Sequence, residues 1–261
     1  MSDDRIEAAR AHARQLSYRF GVTAPEHIRL EAFAARLGVE VQEAPLAGAG
    51  CQLIRKGTHG TILMPEHTTD PLYRRFSLAH ELGHFLLRHP GADLVVPSSH
   101  RRAEERDYEL EANAFASELL MPETLVRAEF ELTKVDLEVP WLIAKRFNVS
   151  ILASTIRFTE LASERCAAVF STKGRITWVR ASSSLTLPIP YRALVPSSLA
   201  HGFFEHGRLV EIPSYVPAEA WFRTEAQVDI LEHSTCHPEY NTVLSMLWVP
   251  PAVAPILKML S

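Results

Sequence analysis

The sequence predicts an α+β fold: a mainly helical first part around a small sheet, then a separate, strand-rich C-terminal part. Two observations predict it. Up to about residue 159, apolar residues recur at three- and four-residue spacing, interrupted only by three short strand-like runs. After about residue 164 the texture changes to alternating segments punctuated by prolines. The expected organisation is a first domain over 1–132, a helical segment over 133–162 and a C-terminal α+β domain over 163–261.

Each element has its own signal. Ile6, Ala9, Ala13, Leu16 and Phe20 share one face of a helix over 3–19. Residues 27–37 repeat that spacing and stop at Gly38, a common helix terminator. Residues 39–41, 51–54 and 61–64 read as strands, with Gly48, Gly50, Gly57 and Gly60 marking turns. A long helix is expected over 70–88, with Asp70 as N-cap and Pro71 behind it. Residues 89–103 carry prolines and polar side chains and read as a loop. A second long helix follows over 104–120, and a third over 122–131. Residues 138–159 read as two short helices joined at Asn148, Val149 and Ser150. In 167–179 the residues alternate around Lys173-Gly174, which predicts a hairpin.

Composition narrows the functional classes. The formal net charge of -4 argues against a whole-chain polyanion binder. The three cysteines, Cys51, Cys166 and Cys236, are sparse and odd in number, which argues against a disulfide framework and fits a reducing cytoplasm. The N-terminus is charged and lacks the apolar stretch of a signal peptide. The longest apolar run, 246–257, is broken by Pro250, Pro251 and Pro255, so no membrane span is expected.

The segment His80-Glu81-Leu82-Gly83-His84 carries the chemistry. Two histidines four apart on a helix lie one turn apart on one face, close enough to share an ion. Neutral imidazole suits Zn2+, with Mn2+ or another divalent ion as the other options. Glu81 directly follows the first ligand. It is the expected general base, placed to take a proton from water at the ion's open position. Gly83 allows another backbone to come close. Phe76, Leu78, Ala79, Leu82, Phe85, Leu86 and Leu87 make the rest of this helix apolar, so it is expected to be buried.

A catalytic zinc bound by two histidines commonly takes a third protein ligand. The second long helix offers Glu109. Glu109, Ala112, Asn113 and Ala116 share a stripe, and the two alanines permit close helix packing. Glu109 is the expected third ligand, and Asn113 can hydrogen-bond a ligand histidine from behind. Glu111 sits about 200° from Glu109 on the helical wheel, so it reads as solvated or paired.

In 139–158, Leu142, Ile143, Phe147, Val149, Ile151 and Ile156 could form a helix-turn-helix core, with Lys145, Arg146 and Arg157 toward phosphate. So few cations favour a plain helical pair, and direct nucleic-acid binding is the less favoured reading. His233, Cys236 and His237 suggest a second metal cluster but lack a fourth ligand, so loop or surface residues are expected. His89, His100 or Tyr108 could steady an oxyanion, with solvent exposure as the default. Arg101, Arg102 and Arg106 read as a solvated helix start, and Tyr73, Arg74 and Arg75 as an exposed helix face.

The run 80–87, followed by 111–122 (EANAFASELLMP), resembles the ImmA/IrrE family of metallopeptidases over roughly residues 25 to 160. The resemblance implies a gluzincin-like zinc site with ligands at His80, His84 and Glu109, a base at Glu81, and the family's asparagine at Asn113. It implies a protein substrate, typically a helix-turn-helix repressor of the XRE type. Cleavage of that repressor would derepress genes in stress, DNA-damage or mobile-element responses. The order of segments resembles the IrrE-type arrangement, which implies a helix-turn-helix-like segment over 133–162 and a GAF-like domain over 163–261. The competing reading is a DNA-binding or sensory regulator with a non-catalytic metal site.

Overall fold

The computed structural model describes residues 2–46, 50–67, 70–90 and 103–259. Gly48, His100, Arg101 and Arg102 lie outside them, as does most of the expected 89–103 loop. The chain is α+β and divides into two compact units. One comprises Met1–Glu129 with Arg146–Ser150, the other Phe130–Lys145 with Ile151–Ser261.

The first unit opens with helix α1 (Ser2–Arg19), whose Ala9, Ala13 and Leu16 are buried as their spacing requires. A short 3-10 turn at Pro25–His27 leads into α2 (Leu30–Arg36), which ends before Gly38 at φ 75. Strands β1 (Val39–Ala44), β2 (Gln52–Lys56) and β3 (His59–Pro65) form a sheet of order β1-β3-β2. β3 runs parallel to β1 and antiparallel to β2. Gly57, at φ 64, makes the β2–β3 turn.

Helix α3 (Pro71–Leu86) starts as its sequence dictates. The Asp70 carboxylate accepts from the amides of Leu72 (2.9 Å) and Tyr73 (3.3 Å), two of the donors a helix N-terminus leaves open. Leu78, Ala79 and Leu82 are buried on α3, and Leu53, Ile62 and Met64 on the sheet. Full burial of each such large side chain contributes roughly 1.5–3 kcal/mol. Phe85 lies against Gly60, where an added Cβ would come within 3.0 Å of its ring. Helix α4 (Ala103–Leu120) packs against both α1 and α3 with Ala112, Phe115, Ala116 and Leu119 fully buried. Helix α5 (Glu123–Glu129) follows directly.

Helices α6 (Glu138–Phe147) and α7 (Ile151–Leu161) are separated by 148–150, with Asn148 at φ 54. Ile143, Phe147 and Val149 are buried as expected, but Leu142 is 56% exposed. Of the three cations assigned to phosphate, two are otherwise engaged. Arg157 is 1% exposed, with Glu160 3.8 Å away, and Arg146 binds Glu129 (2.6 Å) and Glu26. On α7, Ile151, Leu152, Ala153, Ile156 and Glu160 are partly exposed and the other residues are buried.

The second unit holds a five-stranded antiparallel sheet of order β5-β4-β8-β7-β6. Its strands are β4 (Cys166–Thr172), β5 (Arg175–Ala181), β6 (Ser214–Pro217), β7 (Asp229–His237) and β8 (Thr242–Trp248). The β4–β5 hairpin turns at Lys173 (φ 50) and Gly174 (φ 74), the two positive φ values a type I′ turn needs. Helix α8 (Leu199–His206) is an addition to the expected strands, and α9 (Ala254–Met259) follows the sheet. Glu232 on β7 is fully buried. Its carboxylate accepts from the amides of Leu199 (3.0 Å) and Ala200 (2.9 Å), from Trp221 Nε1 (2.8 Å) and from the Ser234 hydroxyl (2.8 Å). Burial raises its pKa, and these donors oppose the shift. No helix among the described residues is long and apolar enough to cross a membrane.

Candidate metal centre

The residues singled out on α3 and α4 do come together. His80 and His84 lie one turn apart, and their Nε2 atoms are 2.9 Å from each other. Glu109 Oε2 is 3.5 Å from His80 Nε2, and its Oε1 is 3.5 Å from His84 Nε2. Gly83 makes this approach possible. A Cβ there would meet Ala112 Cα at 3.3 Å and Phe115 Cδ1 at 3.1 Å, so α4 sits directly on α3.

Hydrogen bonds set the ring orientations. The Nδ1–H of His80 donates to Asn113 Oδ1 at 2.9 Å, which leaves Nε2 as a bare lone pair. On α3 the chain turns at Arg88, which takes a left-handed φ of 57, and the His89 amide donates back to the His84 carbonyl at 3.2 Å. That turn folds His89 behind His84, with their Nδ1 atoms 2.9 Å apart. His89 Nε2 is in turn 3.2 Å from Glu111 Oε2, and Arg5 on α1 reaches Glu111 Oε1 at 2.5 Å. Arg55 on β2 donates to the carbonyls of His84 (2.8 Å) and Phe85 (3.0 Å), neutralising the negative end of the helix.

The electrostatics agree with a cation site. Burial pushes the Glu109 carboxyl up, but hydrogen bonds to His80 and His84 outweigh it and hold the group well below the usual carboxylate range. Burial lowers the His80 pKa, while Glu109, Glu81 and Asn113 together raise it. Burial and the neighbouring charges of His84, Arg5, His80 and Arg55 push His89 down to about 4, so it is neutral near pH 7. Glu81 lies beside this cluster and acts electrostatically on both His80 and Cys51.

The donor set fits a divalent ion of the zinc type. The ligand atoms lie within 4.8 Å of one another. Metal–ligand bonds of 2.0–2.1 Å in a tetrahedron need donor separations of about 3.3 Å. The separations of 2.9 and 3.5 Å bracket that value. Two imidazole lone pairs and a carboxylate aimed at one point repel each other unless a cation lies among them. Residues 34–159 match Peptidase_M78, the IrrE N-terminal-like domain. Over 261 aligned residues the chain is 28% identical to the radiation response metalloprotease IrrE of Deinococcus radiodurans, covering 87% of this chain and 75% of that one.

Both matches support an ImmA/IrrE-family assignment.

The Peptidase_M78 match over residues 34–159 and the metalloprotease relative support a metallopeptidase, a class that implies a divalent metal, usually zinc. In fold, the chain resembles a solved structure described as a Mycobacterium tuberculosis transcriptional regulator. The TM-score is 0.61 at 15% identity, over 93% of this chain and 76% of that one.

The other candidates do not join the three converging ligands. His89 is 3% exposed rather than solvated, because it packs between His84 and the ring of Tyr108, 4.8 Å away. Glu111 is paired, as expected, and Arg75 is half-buried, donating to the Ile28 carbonyl at 3.3 Å. His233, Cys236 and His237 lie along one strand, where Cys236 points to the opposite face from the two histidines. His233 accepts from the Leu137 amide (3.0 Å), and His237 packs on Tyr240. Sequence reasoning missed Arg5 and the part played by His89. The only local signal was a histidine five residues beyond His84.

Proposed function

We propose that this chain is a zinc-dependent, site-specific endopeptidase of the gluzincin type that cleaves a protein partner. The observation that carries the reading is the convergence of His80 Nε2, His84 Nε2 and the Glu109 carboxylate beside Glu81. A bound Zn2+, or Mn2+ in its place, supplies Lewis-acid polarisation of the scissile carbonyl and makes a neighbouring water more acidic. His80, His84 and Glu109 are the ligands, and Asn113 keeps His80 in the ligating tautomer. Glu81 takes the proton from the attacking water and returns it to the leaving amine.

The partner class follows from the family resemblance: a helix-turn-helix repressor of the XRE type, whose cleavage derepresses stress or DNA-damage genes. The name of the Deinococcus relative supports that setting. The same reading assigns peptidase chemistry to 1–132, a helix-turn-helix-like segment to 133–162 and a GAF-like sensor to 163–261. It places the protein in the cytoplasm, which its three free cysteines support. The test is incubation of the purified chain with an XRE-type repressor encoded beside it. Repressor fragments should form with Zn2+, disappear with a chelator and be absent with Glu81→Gln. Fragments made equally well by Glu81→Gln would sink the reading.

A further inference from the structure

Four side chains from three segments form one continuous line behind the metal centre: His84 on α3, His89 just beyond it, Glu111 on α4 and Arg5 on α1. The contacts are His84 Nδ1 to His89 Nδ1 (2.9 Å), His89 Nε2 to Glu111 Oε2 (3.2 Å) and Arg5 Nη2 to Glu111 Oε1 (2.5 Å). The middle of the line is dry, with His89 3% and Glu111 9% exposed. Tyr108 closes it from outside, its ring stacked on His89 at 4.8 Å and covered by Arg5 at 5.1 Å.

Proton positions follow from counting donors and acceptors. A carboxylate beside a guanidinium only accepts, so His89 Nε2 carries the hydrogen it shares with Glu111. Two ring nitrogens 2.9 Å apart share one hydrogen, and a second hydrogen on His89 would leave a cation in a site only 3% exposed, so His89 Nδ1 is the acceptor. The Nδ1 facing it on His84 must therefore carry a hydrogen, which leaves His84 Nε2 bare and aimed at the His80–Glu109 cluster. The opposite tautomer would set His89 Nε2 against the carboxylate as two acceptors, and would put a hydrogen on the ligating nitrogen of His84.

We propose that His89, Glu111 and Arg5 are positioning residues that fix the ligating tautomer and orientation of His84, so that helix α1 is part of the metal centre. This rests on the reading of His84 as a ligand. Asn113 does the same for His80 with one hydrogen bond; His84 uses a relay that crosses to a third helix.

The test uses the full chain stripped of metal. Zn2+ affinity is measured by competition with a chromophoric chelator, the Co2+ form by its visible absorption bands, and the metal-free chain by thermal unfolding. His89→Phe keeps the ring and its stacking but removes both nitrogens. It should weaken Zn2+ binding about 10–100-fold and alter the Co2+ bands. His89→Gln, which keeps an acceptor, should recover part of that loss. Glu111→Gln and Arg5→Met should weaken binding by smaller factors, with metal-free unfolding close to wild type. Wild-type Zn2+ affinity in His89→Phe overturns the proposal. So does a loss in Glu111→Gln matched by an equal fall in metal-free stability, because that marks a packing role. His84→Ala is the control. If it leaves Zn2+ affinity unchanged, the metal-centre reading itself fails. If His84→Ala abolishes binding and His89→Phe does not, only the relay fails.

Discussion

Gly83 on α3 and Ala112 on α4 pack backbone against backbone: a Cβ added at Gly83 would stand 3.3 Å from Ala112 Cα. This contact sets the distance between the helix that carries both histidines and the helix that carries Glu109. Glycine inside a helix costs roughly 1 kcal/mol relative to alanine, so a local optimum would place alanine at 83. The close approach outweighs that preference.

Replacing the glycine separates the two effects. Gly83→Ala gains helix propensity but overpacks against backbone and Phe115, which costs about 1–3 kcal/mol. Stability should therefore change by at most about 2 kcal/mol. Zn2+ affinity should fall about tenfold or more, because Glu109 moves away from the histidines. Gly83→Val should do worse on both counts. Denaturant midpoints and chelator competition check this. Zn2+ affinity equal to or above wild type in Gly83→Val would show that the helix spacing does not govern the site.

Metal removal should be visible in stability. A ligand that binds only the folded state at about 100 times its Kd stabilises by about 2.7 kcal/mol. Zn2+ should therefore raise the unfolding temperature of the wild-type chain, and a chelator should reverse the gain. His84→Ala and Glu109→Ala should show almost none of it. Glu81→Gln should keep it in full, because Glu81 handles protons and is not a ligand. A Glu81→Gln chain that loses the Zn2+ stabilisation would place that carboxylate on the ion.

Glu232 supports a different part of the chain. Its buried carboxylate serves four donors, from the start of α8, from Trp221 and from Ser234. Glu232→Ala leaves them all without that acceptor, and each unsatisfied buried donor costs about 1–3 kcal/mol. The expected loss is on the order of 3 kcal/mol or more, with the burial of Trp221 weakened, so its fluorescence should shift toward longer wavelength. A loss below about 1 kcal/mol would contradict this account.

Much of the candidate metal centre was legible in the sequence because helical periodicity puts His80 with His84 on one face of α3 and Glu109 with Asn113 on one face of α4. The Asp70 cap and the Lys173-Gly174 turn were legible for the same reason, since each is a local rule. Arg5 was not, because its partner Glu111 lies over a hundred residues away and only the packing of α1 on α4 joins them. His89 depends on a left-handed turn at Arg88, a conformation that its residue type does not announce. Arg157 read as a surface cation, and the fold buries it near Glu160. Helix α8 had signals at both ends, the Ser198 cap and Gly207 at φ 67, but Gly202 and the surrounding prolines obscured its short apolar pattern.

The cysteines give a pH test with a defined sign. Burial pushes the Cys166 thiol up from 9.0 to about 12 and Cys51 from 9.0 to about 11. In the unfolded chain both ionise near 9. The fold therefore favours the protonated thiol, and its contribution to stability is complete below pH 9. It is lost as pH rises through 9 toward 12, at up to about 1.4 kcal/mol per pH unit for each group. Cys166 is fully buried, so it should dominate. Cys166→Ala should flatten the alkaline limb of the stability curve while changing stability at pH 7 by no more than about 1–2 kcal/mol for the small volume removed. Denaturant midpoints at pH 8 and pH 11 for both chains measure the difference. At pH 8 the native chain should also react with a thiol reagent far more slowly at Cys166 than the unfolded chain does, because the thiolate is the reactive form. An alkaline limb of equal slope in Cys166→Ala, or rapid native-state labelling of Cys166, would show that β4 opens to solvent more readily than its place between β5 and β8 implies.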